Sequence, residues 1–219
     1  MATAQPRPEL HEEATLDLFE YDRLDGTALT RQPFDFLVVP NFIKAEALAH
    51  LNRDYPTLPG PGNYQADRHP GGPSFQALLE TLRSTAFADK VGAKFGLDLD
   101  SLDRTITIRT HCEQTDGRIH TDHPSKVVTM LLYFNRDWPH EGGRLRMVNS
   151  ASDIEDYAAE VVPADGTLLV FRRADNSYHG HKPFDGERRM LQMSWEHGRR
   201  LNRGLRDITK PVRRILGLS

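Results

Sequence analysis

Three side chains in this sequence have the types and the spacing of a metal site with one open face. His120 and Asp122 are separated by one residue, and residues i and i+2 of a strand point to the same side. An imidazole and a carboxylate would therefore converge on one point. His179 lies much further along the chain, after an apolar run and a polar turn. Two nitrogen ligands and one oxygen ligand on one face of Fe(II) leave the opposite face to a cosubstrate and dioxygen.

Two consecutive arginines, Arg188 and Arg189, are candidates for binding the far carboxylate of a dicarboxylate cosubstrate. Arginine suits this role because its planar fork donates two parallel hydrogen bonds. Alternation in a strand places each arginine with different neighbours. Arg188 shares a face with Met190, Gln192 and Ser194, and Arg189 shares one with Leu191, Met193 and Trp195. We expect the anchor to project into an apolar barrel, which favours Arg189 and leaves Arg188 as the alternative.

The elements that would position these side chains change in character along the chain. A β-rich run within 33–42 leads into a helix-forming segment, and a loop rich in Pro and Gly occupies 56–73. Two helices follow, the second over about 86–95 and ending at Gly96. From residue 104 onward the sequence is a series of short strands separated by turns. This order predicts a mainly β fold with flanking helices (α+β), a sandwich or barrel buttressed by helices.

The ordered motifs resemble the prolyl-4-hydroxylase-like branch of the 2-oxoglutarate, Fe(II)-dependent oxygenase superfamily. The motifs are GRIHTDH, TMLLYFNRDWPHEGGRLRM, DGTLLVF and SYHGHKPFDGERRMLQMSW, and the opening PFDFLVVPNFI is also similar. The likeness covers roughly residues 33–55 and 104–197. It implies a double-stranded β-helix, or jelly-roll, core.

The resemblance also implies the roles of particular residues. His120, Asp122 and His179 would bind iron and form the catalytic centre, and Arg189 would bind the C5 carboxylate of 2-oxoglutarate. The strand after the H-x-D motif would line the cosubstrate pocket through Thr129, Leu131 and Tyr133, which alternation places on one face. The implied cofactors are Fe(II), 2-oxoglutarate and O2. The implied reaction releases succinate and carbon dioxide and hydroxylates an unactivated C–H bond.

One position departs from the family pattern. Two residues after the distal ligand the family usually has an aliphatic residue, whereas this chain has His181. Either His181 is the next inward residue or it competes with His179 as the ligand. The order His-Gly-X-X-Pro favours His179.

Length and composition are consistent with one domain and a tail. We expect an oxygenase domain over 1–198, with an irregular N-terminal arm and helices over about 1–103 and the jelly-roll core over about 104–198. The chain has 219 residues, a formal net charge of −3 and a single cysteine, Cys112. These features give no reason to expect nucleic-acid binding or a disulfide. With no apparent leader and no apolar run long enough to span a bilayer, we expect a cytoplasmic protein.

The C-terminal tail, residues 199–219, has a distinct composition. It carries seven Arg or Lys residues against one Asp, and its apolar residues recur at helical spacing. The tail could pack on the core with its charges solvated, touch an anionic surface such as a membrane, or form a dimer contact.

The substrate is less constrained than the metal site. We favour a small-molecule or a carrier- or glycan-linked substrate over a protein side chain of the prolyl type, because no peptide-binding module is apparent. A non-enzymatic metal-binding scaffold with the same fold is disfavoured, because a binding module has no need for both intact ligands and a cosubstrate arginine. A jelly-roll metal enzyme that ignores 2-oxoglutarate is a further alternative.

Overall fold

The computed structural model describes residues 17–198. The helices in this range are α1 (Tyr21–Gly26), α2 (Ala45–Arg53), α3 (Pro73–Arg83) and α4 (Thr85–Phe95), with a one-turn 3-10 helix at Ala66–Arg68. The strands are β1 (Phe36–Val39), β2 (Tyr64–Gln65), β3 (Asp103–Cys112), β4 (Lys126–Tyr133), β5 (Leu145–Val148), β6 (Tyr157–Val161), β7 (Leu168–Arg172), β8 (His179–His181) and β9 (Gly186–Glu196). The basic tail lies outside the described residues, as does the start of the expected N-terminal arm.

The strands form two antiparallel sheets. The large sheet has the order β1-β7-β4-β9-β3-β2, and the small sheet has the order β6-β5-β8. An apolar cluster joins the sheets through residues of both, such as Tyr133 and Phe171 from the large sheet and Leu145 and Met147 from the small one. A larger cluster covers the other face of the large sheet with the helices. Helices, large sheet and small sheet thus form three layers, which confirms the predicted mainly β, jelly-roll architecture.

The two faces of β4 and β9 serve these different layers. Their register pairs Tyr133 with Met190 and Leu131 with Gln192, so these residues face the space between the sheets. The alternate residues Leu132 and Leu191 pair with each other and pack against the helices. The inner face is therefore the one that can line a cavity.

The helical layer follows from local signals in the sequence. The Ser84 hydroxyl accepts a hydrogen bond from the Phe87 amide at 3.2 Å and caps the N-terminus of α4. Gly96 ends α4 in the left-handed region with φ of +65°, as its position in the sequence predicts. Phe87 and Phe75 are fully buried against the large sheet's outer cluster.

Two segments contain more structure than the sequence indicates. The expected irregular arm contains α1 and the buried residues Phe19 and Leu24, with Phe19 stacked on Phe42 at 4.6 Å between ring centroids. The Pro- and Gly-rich loop contains β2, which pairs Tyr64 with Ile108 of β3. Both pieces are too short for periodicity to reveal, and tertiary contacts hold them.

Within the described range, the structure contains no helix that is long and apolar enough to cross a membrane.

Candidate metal and cosubstrate site

A backbone bridge brings the two candidate histidine ligands together. The His120 amide donates to the His179 carbonyl at 3.0 Å, and the His179 amide donates to the His120 carbonyl at 2.9 Å. Directly opposed residues project to the same side, and the two imidazole centroids lie 4.4 Å apart. Asp122 completes the group, and the ligand atoms of the three residues lie within 4.8 Å of one another. The structure therefore assembles the three residues that their types and spacing predict.

Backbone carbonyls fix how both histidines present their nitrogens. The Nδ1 of His120 lies 2.9 Å from the Arg118 carbonyl, and the Nδ1 of His179 lies 2.9 Å from the Ser177 carbonyl. Because a carbonyl oxygen only accepts, each Nδ1 carries the proton and each Nε2 keeps its lone pair. Such an outer contact is the usual way in which a metal-ligating histidine is oriented. The donor set thus fits a divalent metal without rearrangement of either tautomer.

The electrostatics keep Asp122 and His179 in the forms that bind metal. Burial, together with the neighbouring His120, lowers the pKa of His179 to about 4, so this imidazole is neutral at physiological pH. Burial opposes ionisation of Asp122, but Lys126 and the hydrogen bond from Thr129 outweigh it and hold the pKa of Asp122 below its ordinary value. Asp122 and His179 are buried, whereas His120 is exposed. The site therefore opens to solvent on the His120 side.

Arg188, and not Arg189, projects to the side of the triad. Arg188 is 2% exposed and lines a cavity of about 190 Å³ together with Thr129, Leu131, His120 and His179. Its guanidinium donates to the Gly143 carbonyl at 2.9 Å and approaches the Tyr133 hydroxyl at 3.4 Å. Among residues 17–198 no carboxylate forms an ion pair with it. A buried cation without an anionic partner is costly, which makes this end of the cavity a place for a ligand carboxylate.

The expectation that Arg189 projects into the barrel is wrong. Arg189 lies on the opposite face of β9, where it pairs with Glu187 at 2.7 Å and sits 5.6 Å from the ring centre of Tyr55. It lines a separate surface groove near Asn52. The most apolar face of β9 packs on the helices, so apolar neighbours mark the helix side and not the cavity side.

The three expected lining residues of β4 all lie on the inner face, in different surroundings. Thr129 and Leu131 line the cavity itself. Tyr133 is fully buried beside Arg188, whose guanidinium carbon lies 5.1 Å from the tyrosine ring centre. Burial raises the pKa of the Tyr133 hydroxyl, so this group stays protonated next to the arginine.

His181 lines the same cavity but lies outside the ligand group. Its Nδ1 is 2.8 Å from the Lys182 carbonyl, and its own amide donates to the Gly117 carbonyl at 2.9 Å. Burial and the nearby Arg188 lower the pKa of His181 to about 4. Of the two alternatives that the sequence leaves open, the structure gathers His179, not His181, with His120 and Asp122.

Several residues at the site have no clear signal in the sequence. Lys126 contacts Asp122, and Arg109 pairs with Asp116 at 2.8 Å on the cavity wall. Gly117 has φ of +89°, and a Cβ there would lie 2.4 Å from the Nδ1 of His181. Of these residues, Gly117 is the one that the sequence could have indicated, because a glycine directly before the R-I-H-T-D run is typical of a close backbone approach.

Comparison with known proteins agrees with this geometry. Residues 104–197 match the model of the 2OG-Fe(II) oxygenase superfamily. No curated protein sequence matches the chain significantly.

Solved structures that this chain resembles include prolyl hydroxylases. A prolyl-4-hydroxylase from Pseudomonas putida is 20% identical with a TM-score of 0.54, over 81% of this chain and 92% of that one. The viral collagen prolyl hydroxylase of Paramecium Bursaria Chlorella virus-1 is 12% identical with a TM-score of 0.51, over 75% of this chain and 96% of that one. A 2OG-Fe(II) oxygenase family oxidoreductase from Burkholderia pseudomallei is 17% identical with a TM-score of 0.51, over 74% of this chain and 84% of that one.

The fold is thus a jelly-roll, and its assembled donor set lies in the part of the chain that matches the 2-oxoglutarate, Fe(II)-dependent oxygenase superfamily. The family match over the strand-bearing part of the chain confirms the resemblance to prolyl-4-hydroxylase-like members of that superfamily. Fe(II), 2-oxoglutarate and O2 are the cofactor and cosubstrates of this family.

Proposed function

We propose that this chain is a 2-oxoglutarate- and Fe(II)-dependent dioxygenase that hydroxylates a C–H bond of a small-molecule or carrier- or glycan-linked substrate. The observation that carries the proposal is the placement of Arg188. A buried guanidinium with no carboxylate partner among the described residues lines the same cavity as His120 and His179, the two histidines of the triad with Asp122. A scaffold that only bound a metal would have no use for that uncompensated charge.

Each part of the cavity then has a separate task. His120 and His179 would bind the metal through Nε2, since their Nδ1 protons are held by backbone carbonyls. Arg188 would bind the C5 carboxylate of 2-oxoglutarate, with the protonated Tyr133 hydroxyl beside it. When bound, iron with 2-oxoglutarate and dioxygen supplies the oxidising chemistry, and the protein supplies orientation and the exclusion of water. The substrate would approach from the exposed His120 side.

The first test is an anaerobic titration of the metal-free protein with Fe(II) and then 2-oxoglutarate. A chelated 2-oxo acid gives a weak visible charge-transfer band, and we expect that band with the wild-type protein and not with His179→Ala. Arg188→Met should weaken 2-oxoglutarate binding about 100-fold or more, because one partner of a buried charge pair is removed. Arg189→Met is the matched control on the same strand and should bind normally. A folded wild-type protein that never shows the band would contradict the proposal and favour the metal-binding scaffold.

If Arg188→Met and Arg189→Met weakened 2-oxoglutarate binding to a similar extent, only the assignment of Arg188 as the anchor would be contradicted. If turnover depended on the triad but on neither arginine and not on 2-oxoglutarate, the chain would be a jelly-roll metal enzyme of another kind.

A protein hydroxylase of the prolyl type is the second candidate. Similar folds among the solved structures belong to a prolyl-4-hydroxylase and a viral collagen prolyl hydroxylase, and this likeness favours the candidate. Succinate formation measured against proline-rich peptides and against panels of free small molecules or glycans separates the two. Stimulation by peptides alone would replace the small-molecule proposal, and the metal and cosubstrate assignments would stand.

We also propose that residues 104–198 form the catalytic core of one domain that includes the preceding helices. Helices α3 and α4 complete the apolar cluster on the outer face of the large sheet, so the strands alone would expose that face.

A further inference from the structure

Lys126 lies unusually close to the candidate metal site for a cation. Its ammonium is 2.9 Å from Oδ1 of Asp122, and its side chain is 15% exposed. The Thr129 hydroxyl donates to the other carboxylate oxygen, Oδ2, at 2.5 Å. Both oxygens of Asp122 are therefore held by donors from the same strand, β4.

A β-bulge puts Lys126 on this face. The register pairs Lys126 with Glu196 and Val128 with Trp195, so β4 advances by two residues where β9 advances by one. Val127 is the additional residue, and Val127 and Val128 both pack towards the helices. The shift gives Lys126 the same facing as Thr129, which pairs with Ser194 on the inner side. Bulges next to active sites commonly redirect a side chain in this way.

We propose that Lys126 is a positioning residue that fixes the carboxylate of Asp122 for one-oxygen ligation of the metal. The inference rests on the proposed function, because it assigns a task at the same metal centre. A free aspartate can rotate its carboxylate, bind a metal through two oxygens or turn away from it. With Lys126 on Oδ1 and Thr129 on Oδ2, the plane of the carboxylate is set before a metal arrives. The remaining lone pairs stay available, because each carboxylate oxygen can accept more than one contact.

The charge of Lys126 and its positioning contact have opposite effects on metal affinity. An ammonium near the site repels a divalent cation, so removing it would by itself tighten metal binding. Loss of the positioning contact would weaken metal binding, and outer contacts of metal ligands typically contribute 10- to 100-fold in affinity. The sign of the change in affinity therefore distinguishes the two roles.

The experiment measures Mn(II) affinity of the metal-free protein from the EPR signal of free Mn(II), without substrate or turnover. Lys126→Met removes the ammonium and keeps most of the side-chain length, and we expect binding about 10- to 100-fold weaker. Lys126→Arg keeps a cationic donor and should bind closer to the wild type than Lys126→Met. Lys90→Met is the matched control, since Lys90 pairs with Asp25 at 2.7 Å on the protein surface, and its affinity should not change.

The visible spectrum of bound Co(II) gives a second readout that a purely structural role would not alter. We expect the Co(II) bands of Lys126→Met to differ in position or intensity from the wild type, because the carboxylate is no longer held in one orientation. Thermal melts of each variant establish that it is folded. If Lys126→Met is unfolded at the assay temperature, Lys126→Gln, which keeps a neutral donor, takes its place and should fall between Lys126→Met and the wild type.

The outcomes separate this inference from the proposed function. Wild-type binding that His179→Ala abolishes supports the metal site whatever Lys126 does. Equal or tighter Mn(II) binding by Lys126→Met, with unchanged Co(II) bands, would overturn the positioning role alone. Failure of the folded wild-type protein to bind Mn(II) or Co(II) at all would overturn the metal site and the inference together.

Discussion

The two faces of β9 differ in a way that explains where the chemistry lies. The outer face presents Leu191, Met193 and Trp195 to the helices, and all three are fully buried. The inner face presents Arg188 and Gln192 to the cavity. One face therefore contributes mainly to stability and the other to ligand binding. In this sheet, which is covered on both sides, the more apolar face of β9 is not the one that lines the cavity.

The largest expected effect comes from the outer face. Trp195→Ala should lower the free energy of unfolding by about 3–5 kcal/mol, because a fully buried ring stacked near Phe87 is removed. Urea denaturation measures the change. Trp195→Phe is the control and should lower the free energy of unfolding by less. It keeps an aromatic ring, and the indole N–H that it removes has no hydrogen-bond partner among the described residues. A loss below about 1 kcal/mol for Trp195→Ala would show that this face does not carry the stability.

The next effect concerns pH and the buried histidines near the inner face. His179 and His181 have folded-state pKa values of about 4, below the ordinary value of 6.5. The unfolded chain therefore binds more protons than the folded chain between pH 6.5 and 4. Stability is fully present above pH 6.5 and is lost as the pH falls towards 4, by up to about 3 kcal/mol for each histidine.

The measurement is urea denaturation of the metal-free protein at a series of pH values. His181→Leu removes one of these two buried imidazoles and should reduce the slope between pH 6.5 and 4. An unchanged slope would show that His181 is not buried in its neutral form.

Replacement of Arg188 separates a role in stability from a role in ligand binding. Arg188→Met replaces a buried cation, which has no carboxylate partner within residues 17–198, with an apolar side chain of similar length. The free energy of unfolding should therefore stay unchanged or rise by about 1–4 kcal/mol, although 2-oxoglutarate binding is weakened about 100-fold or more. Urea denaturation without ligand measures the first quantity and calorimetric titration the second. A strongly destabilised Arg188→Met would mean that the arginine holds the inner face together and is not poised for a ligand.

The parts of this site that the sequence predicts are those fixed by residue type and short spacing. His120, Asp122 and His179 are identifiable because few side-chain types bind metals and because the first two are only one residue apart. The strand expected around them is not formed: His120 makes only an isolated bridge to His179, and Asp122 lies in the loop before β4. The turn at Gly96 and the strand series follow from equally local signals. Over this part of the chain, local chemistry and the final fold agree.

The parts that the sequence leaves open depend on how the layers stack. Alternation separates Arg188 from Arg189, but only the helices packed on Leu191 and Met193 decide which face is inside. Lys126 reaches Asp122 because of the bulge at Val127, and the apolar run itself gives no sign of a register shift. Helix α1 likewise depends on contacts such as that of Tyr21 with Phe42, whose ring centroids lie 6.0 Å apart although the residues are far apart in the chain.

The smallest expected effect comes from Arg189, which is the counterpart of Arg188 across the strand. Arg189 pairs with Glu187, but the two side chains are 31% and 64% exposed, so solvent screens the pair. Arg189→Met should change the free energy of unfolding by less than about 1 kcal/mol and leave 2-oxoglutarate affinity unaltered. Urea denaturation and calorimetric titration in parallel with Arg188→Met measure both quantities. If Arg189→Met alone lost 2-oxoglutarate binding, the two faces of β9 would have to exchange roles, since the unpartnered charge of Arg188 would then serve no ligand.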